Sequence, residues 1–189
     1  RKAEGHPCTI WDARSVADMK QQIARYPEAA EAYERLLAFC DQAVADNLTV
    51  SPEPDMGDTP AIQAAHTTAS TAIANLGMGY ALSGREKYAE HAKTMLLDYA
   101  GYYKGWPVHQ HPKFRHDKAK WSWQRLNEAI WLIPTAWGFD LIYDSPSVTD
   151  AQRRTIEEHF IIPCARNIIS SSNALRSPTN WSAMMAAAA

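Results

Sequence analysis

The stretch AIQAAHTTASTAIANLGMGYALSGREKYAEHAKTMLLDYAGYY, residues 61–103, decides the fold. Its first half carries Ala64, Ala65, Ala69, Ser70, Ala72, Ala74, Gly77 and Gly79, with no proline to interrupt a helix up to about Ser83. Small side chains let two backbones approach closely, so this helix is expected deep inside a layered bundle. Ser83-Gly84 is a stop signal, and a second helix from Arg85 to about Tyr103 places Tyr88, Ala92, Met95, Leu96 and Tyr99 on one face. Two long helices joined by so short a turn form an antiparallel αα-hairpin.

The same period extends in both directions. Upstream, Ser15 and Asp18 read as a capping-box variant, with Val16, Met19 and Ile23 as the stripe of a short helix ending at Tyr26. Pro27 opens the next helix, which runs to about Asp46 with Ala30, Tyr33, Leu37, Cys40 and Val44 inward. Pro52, Pro54, Gly57 and Pro60 mark residues 47–60 as a loop. Downstream, helical period returns at about Trp123 and continues to Tyr143, with a kink expected at Pro134. Thr149, before Asp150 and Gln152, caps a further helix to about Ser170 that Pro163 is expected to bend or split. Asn180 follows a polar stretch and opens another. No segment reads as a strand. The expectation is an all-α chain of successive hairpins.

Composition agrees with one domain over residues 1–189. Hydrophobic residues make up 46% and charged residues 21%, which excludes wholesale disorder. Lys and Arg number 19 against 21 Asp and Glu, a formal charge of -2, so any polyanion site has to be local. The apolar runs are too short for a transmembrane helix. Cys8, Cys40 and Cys164 are too few for a disulfide framework or zinc knuckle and read as small buried residues, with one incidental disulfide as the alternative. The last residues, Ala186 to Ala189, fall in the first turns of a new helix, which reads as a fragment of a longer chain.

Local charge is concentrated in one place. Between Lys104 and Arg125, six basic residues (Lys104, Lys113, Arg115, Lys118, Lys120, Arg125) face one acid, Asp117, a net of +5. Trp106, Phe114, Trp121 and Trp123 are interleaved with them. Aromatic faces stack on sugar rings, and cations hold carboxylates; a solvated basic loop anchored by its tryptophans is the plainer alternative. Gln124 and Arg125 open a helix, where amide donors favour an anion. His109, His111 and His116 lack a cysteine or glutamate to complete a zinc site, so no metal or cofactor is expected. His66, among alanines, reads either as a satisfied core histidine or as part of a cleft floor.

Several motifs, in order, resemble one superfamily. Leu76-Gly77-Met78-Gly79-Tyr80-Ala81-Leu82-Ser83-Gly84 followed by Lys87-Tyr88-Ala89 looks like the helical hairpin of α/α-toroid proteins. His6-Pro7 with Ser15 to Ile23, the run Gln124-Arg125-Leu126-Asn127-Glu128-Ala129 into Ala136-Trp137-Gly138-Phe139-Asp140, and Asn180-Trp181-Ser182-Ala183 resemble the heparinase II/III-like and alginate lyase toroids. Some relatives place a histidine base directly after the motif asparagine; here that position is Trp181, the heparinase III-like pattern. The resemblance implies an incomplete (α/α) toroid, the N-terminal portion of a secreted or periplasmic polysaccharide lyase. Its partner would be a uronate-containing acidic polysaccharide, cleaved by β-elimination.

In that chemistry a donor neutralises the uronate carboxylate, a base removes the C5 proton and an acid protonates the leaving oxygen. Asn180 is the expected neutraliser, its alternative being a helix N-cap after Ser177-Pro178-Thr179. Lys120, Trp123, Gln124, Arg125, His66, His116 and Trp181 are the expected substrate contacts. The competing functions are a toroid glycoside hydrolase, a non-catalytic acidic-glycan module and a single-stranded nucleic-acid binder. Glu128 and Asp140 stand about 18 Å apart along one helix, too far for a hydrolase pair. Net acidity and the lack of an RNA-binding fingerprint argue against nucleic acid.

Overall fold

Long helices joined by short turns have little choice but to pack as hairpins, and the computed structural model of the chain shows three of them among the described residues. It describes residues 5–57, 59–110 and 118–170. The first hairpin is α1 (Ala13–Arg25) and α2 (Pro27–Ala45), the second α3 (Pro60–Ser83) and α4 (Glu86–Gly105). The third pairs α5 (Arg125–Ile142) with a rod made of α6 (Asp150–Ile156), a π-helical turn (Glu157–Ile161) and α7 (Ile162–Ser170).

Local chemistry explains most boundaries. The carboxylate of Asp12, not Ser15, caps α1: its Oδ1 accepts from the Ser15 amide at 2.7 Å, so the helix begins earlier than expected. Tyr26 is extended, as a residue before proline must be, and Pro27 stands in the first turn of α2. Gly84 ends α3 at φ 70°, and its amide donates to the Tyr80 carbonyl at 2.7 Å. Thr149 and Gln152 complete the expected capping box of α6.

The two internal prolines act differently. Helix α5 runs through Pro134; the carbonyl that Pro134 cannot bond belongs to Ile130, which is exposed. Ahead of Pro163 the rod widens into the π turn. Pro163 offers no N–H to the His159 carbonyl, which lies inside that turn. One feature departs from the all-helical reading: His109–Gln110 (β1) and Lys118–Ala119 (β2) form a two-residue antiparallel ladder, with His109 opposite Ala119. It gives the described ends of the connection between α4 and α5 a short hydrogen-bonded ladder without changing the fold class.

The hairpins stack in two layers. Helix α3 lies parallel to α5, with Gly77 of one against Gly138 of the other, the close approach that the small residues imply. Helix α4 lies between α2 and the α6–α7 rod: Tyr88 donates to Asp41 at 2.8 Å, and Tyr99 and Tyr103 pack on Phe160. Within each hairpin the helices are antiparallel, which puts α1, α3 and α5 in one layer and α2, α4 and the rod in the other. This is the arrangement of a portion of an (α/α) toroid. The core between the layers is built from Ile73, Leu76, Tyr88, Met95, Leu96, Tyr99, Leu132 and Phe160, all buried. Among the described residues no helix is long and apolar enough to cross a membrane.

Candidate functional site

Of the basic and aromatic segment, Trp121 lies against the α3–α5 seam. The segment's tryptophans are anchors: Trp106 and Trp121 are buried and join Tyr99, Tyr103, Trp131 and Phe160 in a continuous aromatic cluster. The Trp106 indole N–H donates to the Pro52 carbonyl at 2.9 Å, tying the segment to the 47–59 loop. The Asp55 amide donates to the Trp121 carbonyl at 2.5 Å from the other side.

His66 sits at the centre of this cluster with no exposed surface. Its Nε2 lies 2.9 Å from the Glu53 carbonyl and its Nδ1 lies 3.1 Å from the Tyr99 hydroxyl. A carbonyl can only accept, so Nε2 carries the hydrogen and Nδ1 accepts from tyrosine. Burial holds the His66 pKa below the ordinary histidine range, against the Glu53 hydrogen bond and the Asp55 charge that favour protonation. The unfolded chain therefore binds the proton more tightly than the fold. The stability that neutral His66 contributes is present above about pH 6.5 and lost as the pH falls below it. Ring-nitrogen NMR shifts should show the Nε2–H tautomer persisting below that pH; a protonated ring there would contradict the assignment.

Lys120 is engaged with the scaffold. Its ammonium lies 2.6 Å from the Tyr103 carbonyl and 3.5 Å from that of Lys104, in the last turn of α4, and 4.6 Å from the Tyr103 ring centroid. It thereby satisfies carbonyls at a helix C-terminus. Its amide donates to Glu128 Oε2 at 2.6 Å. Glu128 is fully buried, and Tyr103 Oη, Asn167 Nδ2 and Cys164 Sγ approach its Oε1 at 2.5, 3.3 and 3.5 Å. Burial pushes the Glu128 pKa above the usual carboxylate range in spite of these four partners.

Among the described residues a groove of about 220 Å³ runs along the seam. Helix α3 contributes Gln63, Thr67, Ser70 and Thr71, helix α5 contributes Asn127, Ile130, Trp131 and Pro134, and Trp121 lies at one end. The spacing is i, i+4, i+7/8 on α3 and i, i+3/4, i+7 on α5, one face of each. Gln124 Nε2 donates to Asn127 Oδ1 at 3.1 Å, which places Gln124 beside the groove, with half-buried Trp123 before it in the chain. Neutral amides and hydroxyls next to aromatic rings suit sugar hydroxyls and ring faces.

The expected contacts thus divide. Gln124 borders the groove, His66 and Lys120 are tied into the scaffold beside it, and Arg125 is buried at the start of α5. Asn180, Trp181 and His116 lie outside the described residues. The α3 face and Asn127 were missed, although Gln63, Thr67 and Ser70 at helical spacing among alanines form a polar stripe legible in the sequence.

A second cluster was missed altogether. Asp140 of α5 is 5% exposed and clamps the segment ahead of α1. Its Oδ2 accepts from the Cys8 amide (2.8 Å), the Thr9 amide (2.9 Å) and the Thr9 hydroxyl (2.8 Å), and its Oδ1 lies 2.5 Å from His6 Nδ1. Burial raises the Asp140 pKa, but the His6, Thr9 and Cys8 hydrogen bonds outweigh it and hold it below the usual carboxylate range. Cys40 and Cys164 are buried as expected; Cys8 is exposed, because it belongs to this surface segment and not to a helix face.

The sequence is similar to two curated proteins named as alginate lyases. It is 31% identical over 162 residues to the exo-oligoalginate lyase of Saccharophagus degradans, covering 86% of this chain and 22% of that protein. It is 29% identical over 171 residues to the alginate lyase of Stenotrophomonas maltophilia, covering 90% of this chain and again 22% of that protein. The chain therefore spans about a fifth of the length of the curated relatives it matches. No protein-family model matches the chain.

Proposed function

We propose that this chain is the helical-toroid portion of a polysaccharide lyase that cleaves an acidic, uronate-containing polymer or oligomer, alginate foremost, by β-elimination. The observation that carries the reading is similarity over most of the chain to two proteins named as alginate lyases. The α3–α5 groove supports it by offering neutral donors and acceptors to a sugar chain, and the sequence carries a net +5 between Lys104 and Arg125. Its placement nearest the heparinase II/III-like toroids rests on the Asn180-Trp181 pair. A polymeric acidic substrate fits an enzyme acting outside the cytoplasm.

In this reading Gln124, with Asn127 and Trp123, orients the sugar. Arg125, Lys120 and His66 hold the groove wall, and His116 and Trp181 complete the subsite. Asn180 donates its amide to the uronate carboxylate, which stabilises the enolate-like charge as the C5 proton leaves. Asparagine suits this task because it donates hydrogen bonds without taking up a proton. Other residues of the enzyme supply the base and the acid.

The test is alginate oligosaccharide incubated with the full-length protein. An ultraviolet-absorbing unsaturated uronate should accumulate. Asn180→Ala should lower kcat by about 10²–10³ with a smaller change in KM, as loss of one oxyanion-type donor does. New reducing ends without unsaturation would mean a hydrolase, and binding without product a glycan module. A lowered melting temperature with normal kcat would reduce Asn180 to a helix cap.

A further inference from the structure

We propose that His6, Cys8 and Asp140 form a binding site for a zinc-like divalent cation, which staples the segment preceding α1 to helix α5. Among the described residues these three are the one group of histidine, cysteine and carboxylate side chains whose ligand atoms all lie within 4.8 Å of one another. They come from positions 132 and 134 residues apart in sequence, which is why no spacing motif revealed them.

The donor geometry is close to what zinc requires. With bonds of about 2.3 Å to sulfur and about 2.0–2.1 Å to nitrogen or oxygen, tetrahedral angles put a sulfur about 3.6 Å from each other ligand, and nitrogen about 3.4 Å from oxygen. Cys8 Sγ lies 3.7 Å from His6 Nδ1 and 3.5 Å from Asp140 Oδ1, both within about 0.1 Å of those edges. His6 Nδ1 and Asp140 Oδ1 stand closer, at 2.5 Å, because a proton bridges them. Replacing that proton by a cation opens the edge by somewhat under 1 Å, a small turn of an imidazole that is one-third exposed.

The surroundings already orient the ligands. The three donors on Asp140 Oδ2 leave Oδ1 turned toward His6 and Cys8 for monodentate coordination. The His6 ring stacks on Tyr143 with centroids 3.9 Å apart, and its backbone amide donates to Asp144 at 3.3 Å. Fixed outer contacts of this kind set ligand orientation at metal sites. A cavity of about 260 Å³ bounded by His6, Cys8, Thr9, Asp140, Tyr143 and Glu157 adjoins the donors, with room for a water as fourth ligand.

The charges balance. A thiolate and a carboxylate offset the two positive charges of the cation, and neutral histidine completes the set. When the cation is bound, His6 coordinates through Nδ1 with its ring hydrogen on Nε2, and the thiol proton leaves to solvent. Carboxylate and imidazole without sulfur would suit several metals; the thiolate selects a softer ion such as zinc.

Cobalt(II) added to the full-length protein, followed by competition with zinc(II), tests the site without reference to catalysis. One equivalent should give the thiolate-to-cobalt charge-transfer absorption and tetrahedral visible bands, both lost on adding zinc. Cys8→Ser should abolish the charge-transfer band, and both Cys8→Ser and His6→Ala should weaken affinity more than about 100-fold, beyond the 10–100-fold range of outer-contact changes. Cys8 is exposed, so Cys8→Ser should keep the parent circular dichroism spectrum, which separates loss of the ligand from loss of the fold. Any other metal sites elsewhere in the protein cancel in the comparison of parent and variant. A parent protein without the band, or a band unchanged in Cys8→Ser, would overturn the proposal.

Discussion

Gly138→Ala is expected to cost the fold about 2–3 kcal/mol, although alanine is the better helix former. A Cβ on Gly138 would stand 2.6 Å from Ile73 Cγ2, with the Ile73 carbonyl oxygen closer still. That carbonyl is part of the α3 backbone and cannot step aside as a flexible side chain would. The clash can be relieved only by moving α3 and α5 apart along their whole seam, groove included. The reciprocal position is equally tight: a Cβ on Gly77 would meet Gly138 Cα at 2.9 Å. The control is Gly101→Ala, on the exposed face of α4 with nothing within 4 Å, where the helix should gain up to about 1 kcal/mol. By thermal melting Gly138→Ala should fall by roughly 4–12 °C while Gly101→Ala rises slightly. Equal and upward shifts in both variants would mean that the helices do not cross there.

Glu128→Ala is expected to cost more, about 3–5 kcal/mol, because it takes the acceptor from the Lys120 amide and the buried Tyr103 hydroxyl and empties space beside Tyr103 and Cys164. Glu128→Gln keeps an acceptor for the Lys120 amide and should cost only about 1–2 kcal/mol. The two variants also differ from the parent in how stability depends on pH. The folded site holds its proton more tightly than the unfolded chain does, since burial raises the Glu128 pKa. Its contribution is therefore full below about pH 4.3 and declines as the pH climbs from there through the raised value. Glutamine has no such slope. Denaturant midpoints for parent and Glu128→Gln over acidic to neutral pH should converge as the pH rises, and a constant gap would refute a carboxyl protonated by burial. Because Glu128 grips the Lys120 backbone, Glu128→Ala should also increase amide exchange across 118–124 well before the α3–α4 hairpin is affected.

The two halves of the problem were unequally legible in the sequence. Helical period, Ser83-Gly84 and the Pro27 and Thr149 starts are local signals, and the three hairpins follow from them. The small residues of 64–79 announced a close crossing, and Gly77 against Gly138 supplies it. The candidate site depends on which residues the crossing leaves uncovered, and that is not a local property. Lys120 and Trp121 had the composition of a sugar-binding loop, yet one spends its charge on the end of α4 and the other its ring on the aromatic cluster. His66 had two readings, and only the enclosure by Trp106, Trp121 and Trp131 distinguishes them. Asp140, on the outer part of α5, gave no sign that residues more than 130 positions earlier converge on it.

The π turn at Glu157–Ile161 sets the angular phase of everything after it. Each residue along an α-helix advances the side-chain direction by about 100°. The turn accommodates one residue more than an α-helical turn would in the same rise. Cys164 and Ile168 face the core and Asn167 reaches Glu128 only because that extra residue has been counted in. Winding the same residues into uninterrupted α-helix would swing all three of those side chains about a quarter-turn off target, whereas removing one residue between Glu157 and Ile161 would let the rod close into α-helix with all three still facing where they do. Upstream, Ile156 and the Thr149–Gln152 cap would not register the change. The rod thus works as two gears on one shaft, α6 meshed with α4 and α7 meshed with α5, and the widened turn is the offset between their teeth.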